Sequence, residues 1–146
     1  MTTTRAIIIV NLDSLEDMLQ AFPLVQQVYP KMDLATYRSN VAEMMAMSNF
    51  KMIGAIYDGK LVGVSGYFIL RMLYCGRYLQ ASNFVVDQNN RGFGIGRKIL
   101  QHLEELAREN DCNKLVLDSY TENKKSHPLY FSEDFYVRGF HFMKDL

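Results

Sequence analysis

A glycine-rich turn between a predicted strand and a predicted helix is the part of the chain most suited to chemistry. It occupies residues 91–96, with the sequence RGFGIG, and is followed by Arg97 and Lys98. Glycine lets a ligand approach the backbone closely, and the free N–H groups of a first helical turn attract anions. Arg91, Arg97 and Lys98 can add charge-assisted contacts. The turn therefore predicts a phosphate site, with an ordinary tight turn as the alternative.

The glycine spacing rules out two common phosphate motifs. The dinucleotide fingerprint GxGxxG would need a third glycine at position 97, which is Arg97. The P-loop pattern GxxxxGK[ST] fails because no Gly-Lys-Ser or Gly-Lys-Thr follows. The turn is neither a Rossmann turn nor a P-loop, which disfavours a dinucleotide oxidoreductase.

The cysteines and histidines do not have the spacing of a metal or nucleophilic site. Cys75 and Cys112 are far apart and form no CxxC pair, and the three histidines are scattered. We therefore predict no metal site and no disulfide framework. Cys112 follows Asp111 in a predicted helix exit, so a cysteine nucleophile has little support.

Length and composition indicate one soluble domain with a sizeable core. The chain has 146 residues, 49% of them hydrophobic, and its 16 basic side chains balance 16 acidic ones. This balance does not support a nucleic-acid partner, and no apolar run is long enough for a signal peptide or a membrane span. We expect a single cytoplasmic domain over residues 1–146, without a nucleic-acid or membrane partner. A homodimer is compatible with the sequence.

The hydrophobic pattern predicts strands and helices on both sides of the turn. Two apolar runs, 50–57 and 60–70, are joined by Asp58 and Gly59, a preferred pair for a tight hairpin. A strand over 77–86 leads into the glycine turn, and apolar side chains at helical spacing follow it. The remaining predicted elements are a strand over 6–10, a helix capped by Ser14 and either ended or bent at Pro23, a helix opened by Asp33, a strand over 114–119, a short helix over 126–131 and one or two closing strands over 136–144.

The predicted order is β-α-α-β-β-β-α-β-α-β-β. It indicates the α/β (α+β) class, with a mixed central sheet of about six to seven strands flanked by about four helices.

Two groups of residues resemble the GNAT superfamily of N-acetyltransferases. Arg91, Gly94 and Gly96 match Arg-x-x-Gly-x-Gly, preceded by FVVD and followed by RKILQHLEEL, which resembles motif A of that superfamily. Residues 117–119, Asn123 and the stretch SHPLYF at 126–131 resemble motif B, a short helix carrying a tyrosine. The resemblance covers residues 50–146 by sequence and the first 50 by element order. One departure is Asp134, which stands where the motif has glycine.

The resemblance implies transfer of an acetyl group from acetyl-CoA, a co-substrate, to an amine without a metal. The pyrophosphate would lie on the amides of the turn, and the pantetheine arm would pair with the strand ending at 84–86. A backbone N–H there can polarise the thioester carbonyl. The residues expected to bind CoA are Phe84, Val85, Val86, Arg91, Gly92, Phe93, Gly94, Ile95, Gly96, Arg97, Lys98 and Asn123. For Asn123, a turn cap is the alternative.

Tyr130 is the expected general acid. The leaving group is a thiolate with a pKa of about 8.5, and a phenol with a pKa of about 10 can donate a proton to it. A core aromatic residue is the alternative role. His127, three residues earlier, is expected to cap the tyrosine helix, with a proton shuttle as the alternative.

A base is also needed, because the amine must be neutral to attack. Deprotonation of an alkylammonium group with a pKa of about 10.4 costs about 4.6 kcal/mol at pH 7. The strand over 77–86 lacks the Glu that some family members use as the base. Asp118, on a predicted strand near the acetyl end, is the candidate, and it could instead hold the ammonium of the substrate. Asp87 is the second choice, although its neighbours are typical of a turn.

Two functions of different classes follow from these residues. The first is an N-acetyltransferase working by direct attack in a ternary complex on a small amine, a polyamine or a peptide amine. The second is a catalytically silent acetyl-CoA-binding sensor or interaction module. The acceptor is expected against the N-terminal helices and residues 68–77.

Overall fold

A computed structural model describes residues 6–146 and contains one five-stranded mixed sheet. The strands are β1 (Ile8–Asn11), β2 (Lys51–Tyr57), β3 (Lys60–Met72), β4 (Gly76–Val86) and β5 (Lys114–Val116). They lie side by side in chain order. The first four pair antiparallel, and β5 pairs parallel with β4. The Asp58-Gly59 turn joins β2 to β3, as its residue types predict.

The described residues also form five α-helices, which flank the sheet. They are α1 (Leu15–Leu19), α2 (Phe22–Val28), α3 (Leu34–Ser48), α4 (Ile95–Glu109) and α5 (His127–Ser132), and a short 3-10 turn covers Gln88–Asn90. Ser14 and Asp33 cap α1 and α3 as predicted, because each side chain accepts a hydrogen bond from the backbone N–H three residues on. Pro23 lies in the first turn of α2, where its missing N–H costs no helical hydrogen bond. The first predicted helix thus ends before Pro23 and a second one begins there, which is one of the two outcomes predicted for this proline.

The core has one layer on each face of the sheet. On one face, helices α1 to α3 bury residues such as Met18, Val25 and Tyr37 against β2, β3 and β4. On the other, α4 buries Ile99 and Leu103 together with residues of the same strands. The two layers hold β4 from both sides, so the strand that leads into the glycine turn is rigidly placed.

The prediction of six to seven strands is not confirmed, because the described residues form five. Residues 136–144, predicted as closing strands, are exposed and make no backbone hydrogen bond to any described residue. A strand needs a neighbour to satisfy its backbone, and this segment has none within residues 6–146. The described residues also form five α-helices instead of about four, since the chain is interrupted between α1 and α2, just before Pro23.

Residues 1–5, which belong to the predicted single domain, lie outside the described residues. Within residues 6–146, every helix is too short or too polar to traverse a lipid bilayer.

Candidate functional site

A cleft opens where β5 leaves β4. The two strands pair over three positions, 78–80 with 114–116, whereas β4 continues to Val86. On the β5 side, residues 81–86 of β4 therefore have no strand partner in the described part of the chain. Asn83 adopts a left-handed conformation, with φ of 56°, and the register of β3 against β4 shifts beside it. This bulge accompanies a strand edge whose N–H and C=O groups are open to a ligand.

The glycine turn lies at the end of that open edge and presents the N-terminus of α4. Gly94 is the N-cap residue of α4, and no side chain among the described residues caps the helix. The first-turn amides therefore have neither an intrahelical acceptor nor a capping side chain. Gly92 and Gly94 have φ values of 89° and 81°, so glycine is required here for the backbone conformation. Arg91 and Lys98 are exposed beside these amides. The arrangement fits a pyrophosphate group.

Gly96, the third glycine of the motif, has a packing role. It is buried, and a Cβ added to it would lie 2.9 Å from Cδ2 of Leu129 on α5 and 3.4 Å from Cζ of Phe84 on β4. Glycine at this position lets α4, β4 and α5 approach one another. Of the three glycines predicted to form the phosphate site, Gly92 and Gly94 are required by the backbone conformation of the turn, whereas Gly96 is required by packing.

Two side chains predicted to bind CoA are held by other parts of the protein. The guanidinium Nε of Arg97 lies 2.7 Å from Oε1 of Glu133, just after α5. The ring of Phe93 stacks on that of Tyr57, with the ring centroids 5.7 Å apart, which ties the turn to the β2–β3 hairpin. Neither contact prevents the backbone of the turn from binding an anion.

Tyr130 lies on α5 beside the open edge of β4. Its ring centroid is 6.2 Å from that of Phe84 and 6.1 Å from that of Phe135. Burial raises the pKa of Tyr130 above its ordinary value of 10.0, and a hydrogen bond with Ser126 opposes this shift. The phenol is therefore protonated at neutral pH and available as a donor. The structure thus brings Tyr130 and Phe84, two predicted site residues, together.

Two residues at the ends of α5, His127 and Asp134, determine how the helix connects to the neighbouring chain. Nε2 of His127 lies 3.2 Å from both Oγ of Ser119 and the carbonyl oxygen of Tyr120, which fastens α5 to the loop after β5. Asp134 has φ of 66°, the left-handed conformation that glycine favours and aspartate tolerates. The departure from the family motif at Asp134 therefore leaves the turn geometry in place.

Asp118 lies in the loop after β5 instead of on a strand as predicted, because β5 ends at Val116. Its carboxylate is exposed, accepts a hydrogen bond of 3.4 Å from Nε2 of Gln80 and lies 3.6 Å from Nδ1 of His141. Gln80 is the last residue of β4 that pairs with β5, so Asp118 stands at the closed end of the cleft. Asn123 forms backbone hydrogen bonds within the following turn.

Gln27 is a residue that the sequence did not identify. Its Nε2 donates to Oδ1 of Asp87 at 3.2 Å, and its Oε1 accepts from the backbone N–H of Gln88 at 3.1 Å. Asp87 also accepts from the N–H of Asn89 and from Nδ2 of Asn90. These bonds, the Asn89 amide first, lower the pKa of Asp87. Asp87 is thus a cap of the 3-10 turn and a tie to α2, in line with its interpretation as a turn residue.

The N-terminal helices approach the loop after β5. Burial, and then the nearby Tyr120 hydroxyl, raise the pKa of Tyr29 at the end of α2. An open groove of about 530 Å³ adjoins Tyr29 and is lined by Val28, Pro30, Met32 and their neighbours. The β3–β4 hairpin end, including residues 72–76, lies at the other end of β4 from the glycine turn.

These features define a class of protein. It is a mixed α+β domain in which β4 and β5 separate, and the free part of β4 leads to the uncapped N-terminus of α4. The chain belongs to the acetyltransferase (GNAT) family, a family of acyltransferases, whose model matches residues 13–133. The resemblance drawn from motifs A and B is thereby confirmed.

Two curated relatives are similar to this chain in sequence, and one solved structure is similar to it in fold. The chain is 31% identical over 70 residues to a thialysine N-epsilon-acetyltransferase from Sus scrofa, covering 48% of this chain and 41% of that protein. It is 34% identical over 74 residues to a glucosamine 6-phosphate N-acetyltransferase from Trypanosoma brucei brucei, covering 49% and 48%. The chain thus spans about half the length of these curated relatives. The structure of aminoglycoside N-acetyltransferase AAC(6')-Iy in complex with CoA shares the fold, with a TM-score of 0.81 at 15% identity, over 100% of this chain and 99% of that one.

Proposed function

We propose that this protein is an N-acetyltransferase that transfers the acetyl group of acetyl-CoA to a primary amine by direct attack in a ternary complex. The observation that carries the proposal is the continuity between the open edge of β4, residues 81–86, and the uncapped N-terminus of α4. An extended arm can form backbone hydrogen bonds with a free strand edge, and a pyrophosphate can bind at a helix N-terminus. Acetyl-CoA has both parts in one molecule.

The chain's own backbone supplies the proposed contacts to CoA. The N–H of Asp87 bonds to Val62 on β3, so by strand alternation the N–H of Val86 faces the open side. This amide is the proposed donor to the part of the pantetheine arm next to the pyrophosphate, and a backbone N–H nearer residue 81 on the same open edge is the proposed donor to the thioester carbonyl. The amides from Ile95 to Arg97 bind the pyrophosphate, with Arg91 and Lys98 beside them.

Tyr130 and a base complete the proposed reaction. The amine nitrogen forms a C–N bond to the acetyl carbon while the C–S bond breaks. Tyr130 gives its proton to the departing thiolate, and the amine proton passes to Asp118 directly or through water. The position of Asp118 at the closed end of the cleft supports this role, and the same carboxylate also suits the recognition of an ammonium group.

A small amine is the acceptor class that the comparisons favour. The two curated relatives are named for thialysine and glucosamine 6-phosphate, both small molecules with an amino group. An acceptor position at the end of α2 is supported by the open groove that residues 28–32 and Thr36 line.

The test measures acetyl-CoA binding by calorimetry and thiol release across a panel of small amines, polyamines and peptide amines. Tyr130→Phe should lower kcat at least about tenfold, the scale of general acid catalysis, without weakening acetyl-CoA binding. Tyr136→Phe, at an exposed tyrosine six residues on, is the matched control. An unchanged kcat in Tyr130→Phe would remove the phenol from the mechanism.

Two further results separate the remaining alternatives. Asp118→Asn should shift the pH–rate profile if the carboxylate is the base and mainly raise the acceptor KM if it binds ammonium. Acetyl-CoA binding with no turnover on any amine would overturn the transferase and leave a silent acetyl-CoA-binding module.

A further inference from the structure

The short 3-10 turn before the glycine turn has all three of its backbone N–H groups occupied. The Gln88 N–H donates to Oε1 of Gln27 at 3.1 Å. The Asn89 N–H donates to Oδ1 of Asp87 at 3.2 Å, and the Asn90 N–H donates to the carbonyl oxygen of Asp87 at 2.9 Å. Each backbone N–H carries one hydrogen, so these three amides offer no free donor to an anion.

The backbone N–H groups that follow the 3-10 turn are open. Among the described residues, no backbone carbonyl accepts a hydrogen bond from the N–H groups of residues 92–97. These are the amides of the glycine turn and of the first turn of α4, where a pyrophosphate can bind. The change from occupied to open amides at Arg91 therefore decides where along the chain a phosphate oxygen finds a donor.

Gln27 holds the start of the 3-10 turn from a different part of the fold. Its Nε2 donates to Oδ1 of Asp87 at 3.2 Å, and its Oε1 accepts from Gln88. One side-chain amide thus contacts two adjacent residues, which fixes their orientation as well as their distance. The helix that carries Gln27, α2, is anchored in the core by the buried side chains of Leu24 and Val25. The turn is therefore held at a fixed position relative to the core.

Asp87 extends this restraint to the rest of the 3-10 turn. Its N–H donates to the Val62 carbonyl on β3 at 2.8 Å, and its Oδ2 accepts from Nδ2 of Asn90 at 3.1 Å. Its Oδ1 receives both Gln27 and the Asn89 amide. Without Gln27, the carboxylate would be held less firmly and the Gln88 N–H would become open. A phosphate would then meet a competing donor before the glycine turn, and binding would have to order the turn at an entropic cost.

We infer that Gln27 is a positioning residue for acetyl-CoA. It holds the segment that leads into the glycine turn and keeps the Gln88 amide occupied, so that the phosphate oxygens bind the amides of residues 92–97. It acts through Asp87 and Gln88 and not by contact with the ligand. This inference rests on the acetyl-CoA binding of the proposed function and does not depend on turnover.

The first test measures the Kd of acetyl-CoA by calorimetry for the wild type and for Gln27→Met. Methionine keeps the length of the side chain and removes both hydrogen bonds, so the Kd should rise at least about fivefold. Gln26→Met is the matched control on the same helix, because Nε2 of Gln26 donates to the Met32 carbonyl at 3.3 Å and not to the turn. It should leave the Kd unchanged.

A double-mutant cycle distinguishes positioning from a purely structural tie. In an Asp87→Ala background the turn has lost its cap, so Gln27→Met should raise the Kd less than about twofold further. Urea denaturation of the same variants measures their stability. Lower stability of Gln27→Met with an unchanged Kd, additive effects of the two substitutions, or an equal rise of Kd in Gln26→Met would each overturn the inference. A wild type that does not bind acetyl-CoA would instead overturn the proposed function itself.

Discussion

Arg97 on α4 and Glu133 just after α5 form an ion pair of 2.7 Å that joins the proposed pyrophosphate site to the helix of Tyr130. Glu133 is mostly buried, with its side chain 17% exposed, whereas Arg97 is 56% exposed. Tyr130 precedes Glu133 by three residues, and the carbonyl of Tyr130 accepts a hydrogen bond from the Glu133 N–H. The pair therefore positions α5 relative to the first turn of α4.

Glu133→Gln should lower kcat a few-fold, equivalent to about 1 kcal/mol, without raising the KM for acetyl-CoA. The substitution removes the charge that holds α5 but leaves Arg97 available to a phosphate. Steady-state kinetics with a fixed amine measures both constants. Glu104→Gln, which breaks the exposed Arg108 pair on the same helix, should change neither constant. A raised KM with unchanged kcat in Glu133→Gln would show that the pair acts on binding and not on Tyr130.

Asp87→Ala should destabilise the protein by about 1 kcal/mol at neutral pH, the usual value of a lost cap. Because the folded-state pKa of Asp87 is lowered, its contribution is present above the unfolded carboxyl pKa of about 3.9 and is lost as pH falls through the folded value. The difference between wild type and variant should therefore shrink below about pH 4. Urea denaturation at a series of pH values measures it. Glu105→Gln, exposed on α4, is the control, and a difference independent of pH would contradict the prediction.

Tyr37→Phe should cost about 1–2 kcal/mol, because the Tyr37 hydroxyl donates a buried hydrogen bond of 2.7 Å to the Met18 carbonyl. Burial raises the pKa of Tyr37 to about 12. The native state thus retains this proton more tightly, and the wild type should lose more stability than Tyr37→Phe as the pH rises from about 10. Chemical denaturation at neutral and alkaline pH measures both effects. Equal alkaline slopes in the two proteins would contradict the second one.

Gly66→Ala should destabilise the fold by about 1–3 kcal/mol through overpacking. A Cβ on Gly66 would overlap the ring of Phe50 and lie 3.0 Å from the Ser82 carbonyl oxygen. The Phe50 ring has little room to move, since it packs on Phe68 with centroids 5.0 Å apart. Thermal or urea unfolding measures the change. Gly139→Ala is the control, because its new Cβ would have no atom of residues 6–146 within 4 Å. A similar loss of stability in both variants would contradict the steric explanation.

Much of the fold and the centre of the candidate site were predictable because their signals are local. The caps at Ser14 and Asp33, the Asp58-Gly59 turn and the glycine turn each depend on a few neighbouring residues and their allowed backbone angles. The amphipathic period likewise predicted α4. Family membership followed from the same local motifs.

The contacts that connect these elements were decided by tertiary structure. Gln27 bonds to Asp87 across 60 positions of the chain, and the role of Gly96 depends on Leu129 arriving against it from α5. Asp118 lies outside the strand in which it was predicted, because β5 pairs with β4 over three positions and ends at Val116. Which segments prefer strand, helix or turn follows from the order of the residues, since those preferences are short-range. Whether residues 136–144 become strands depends on a hydrogen-bonding neighbour, which no local preference can supply.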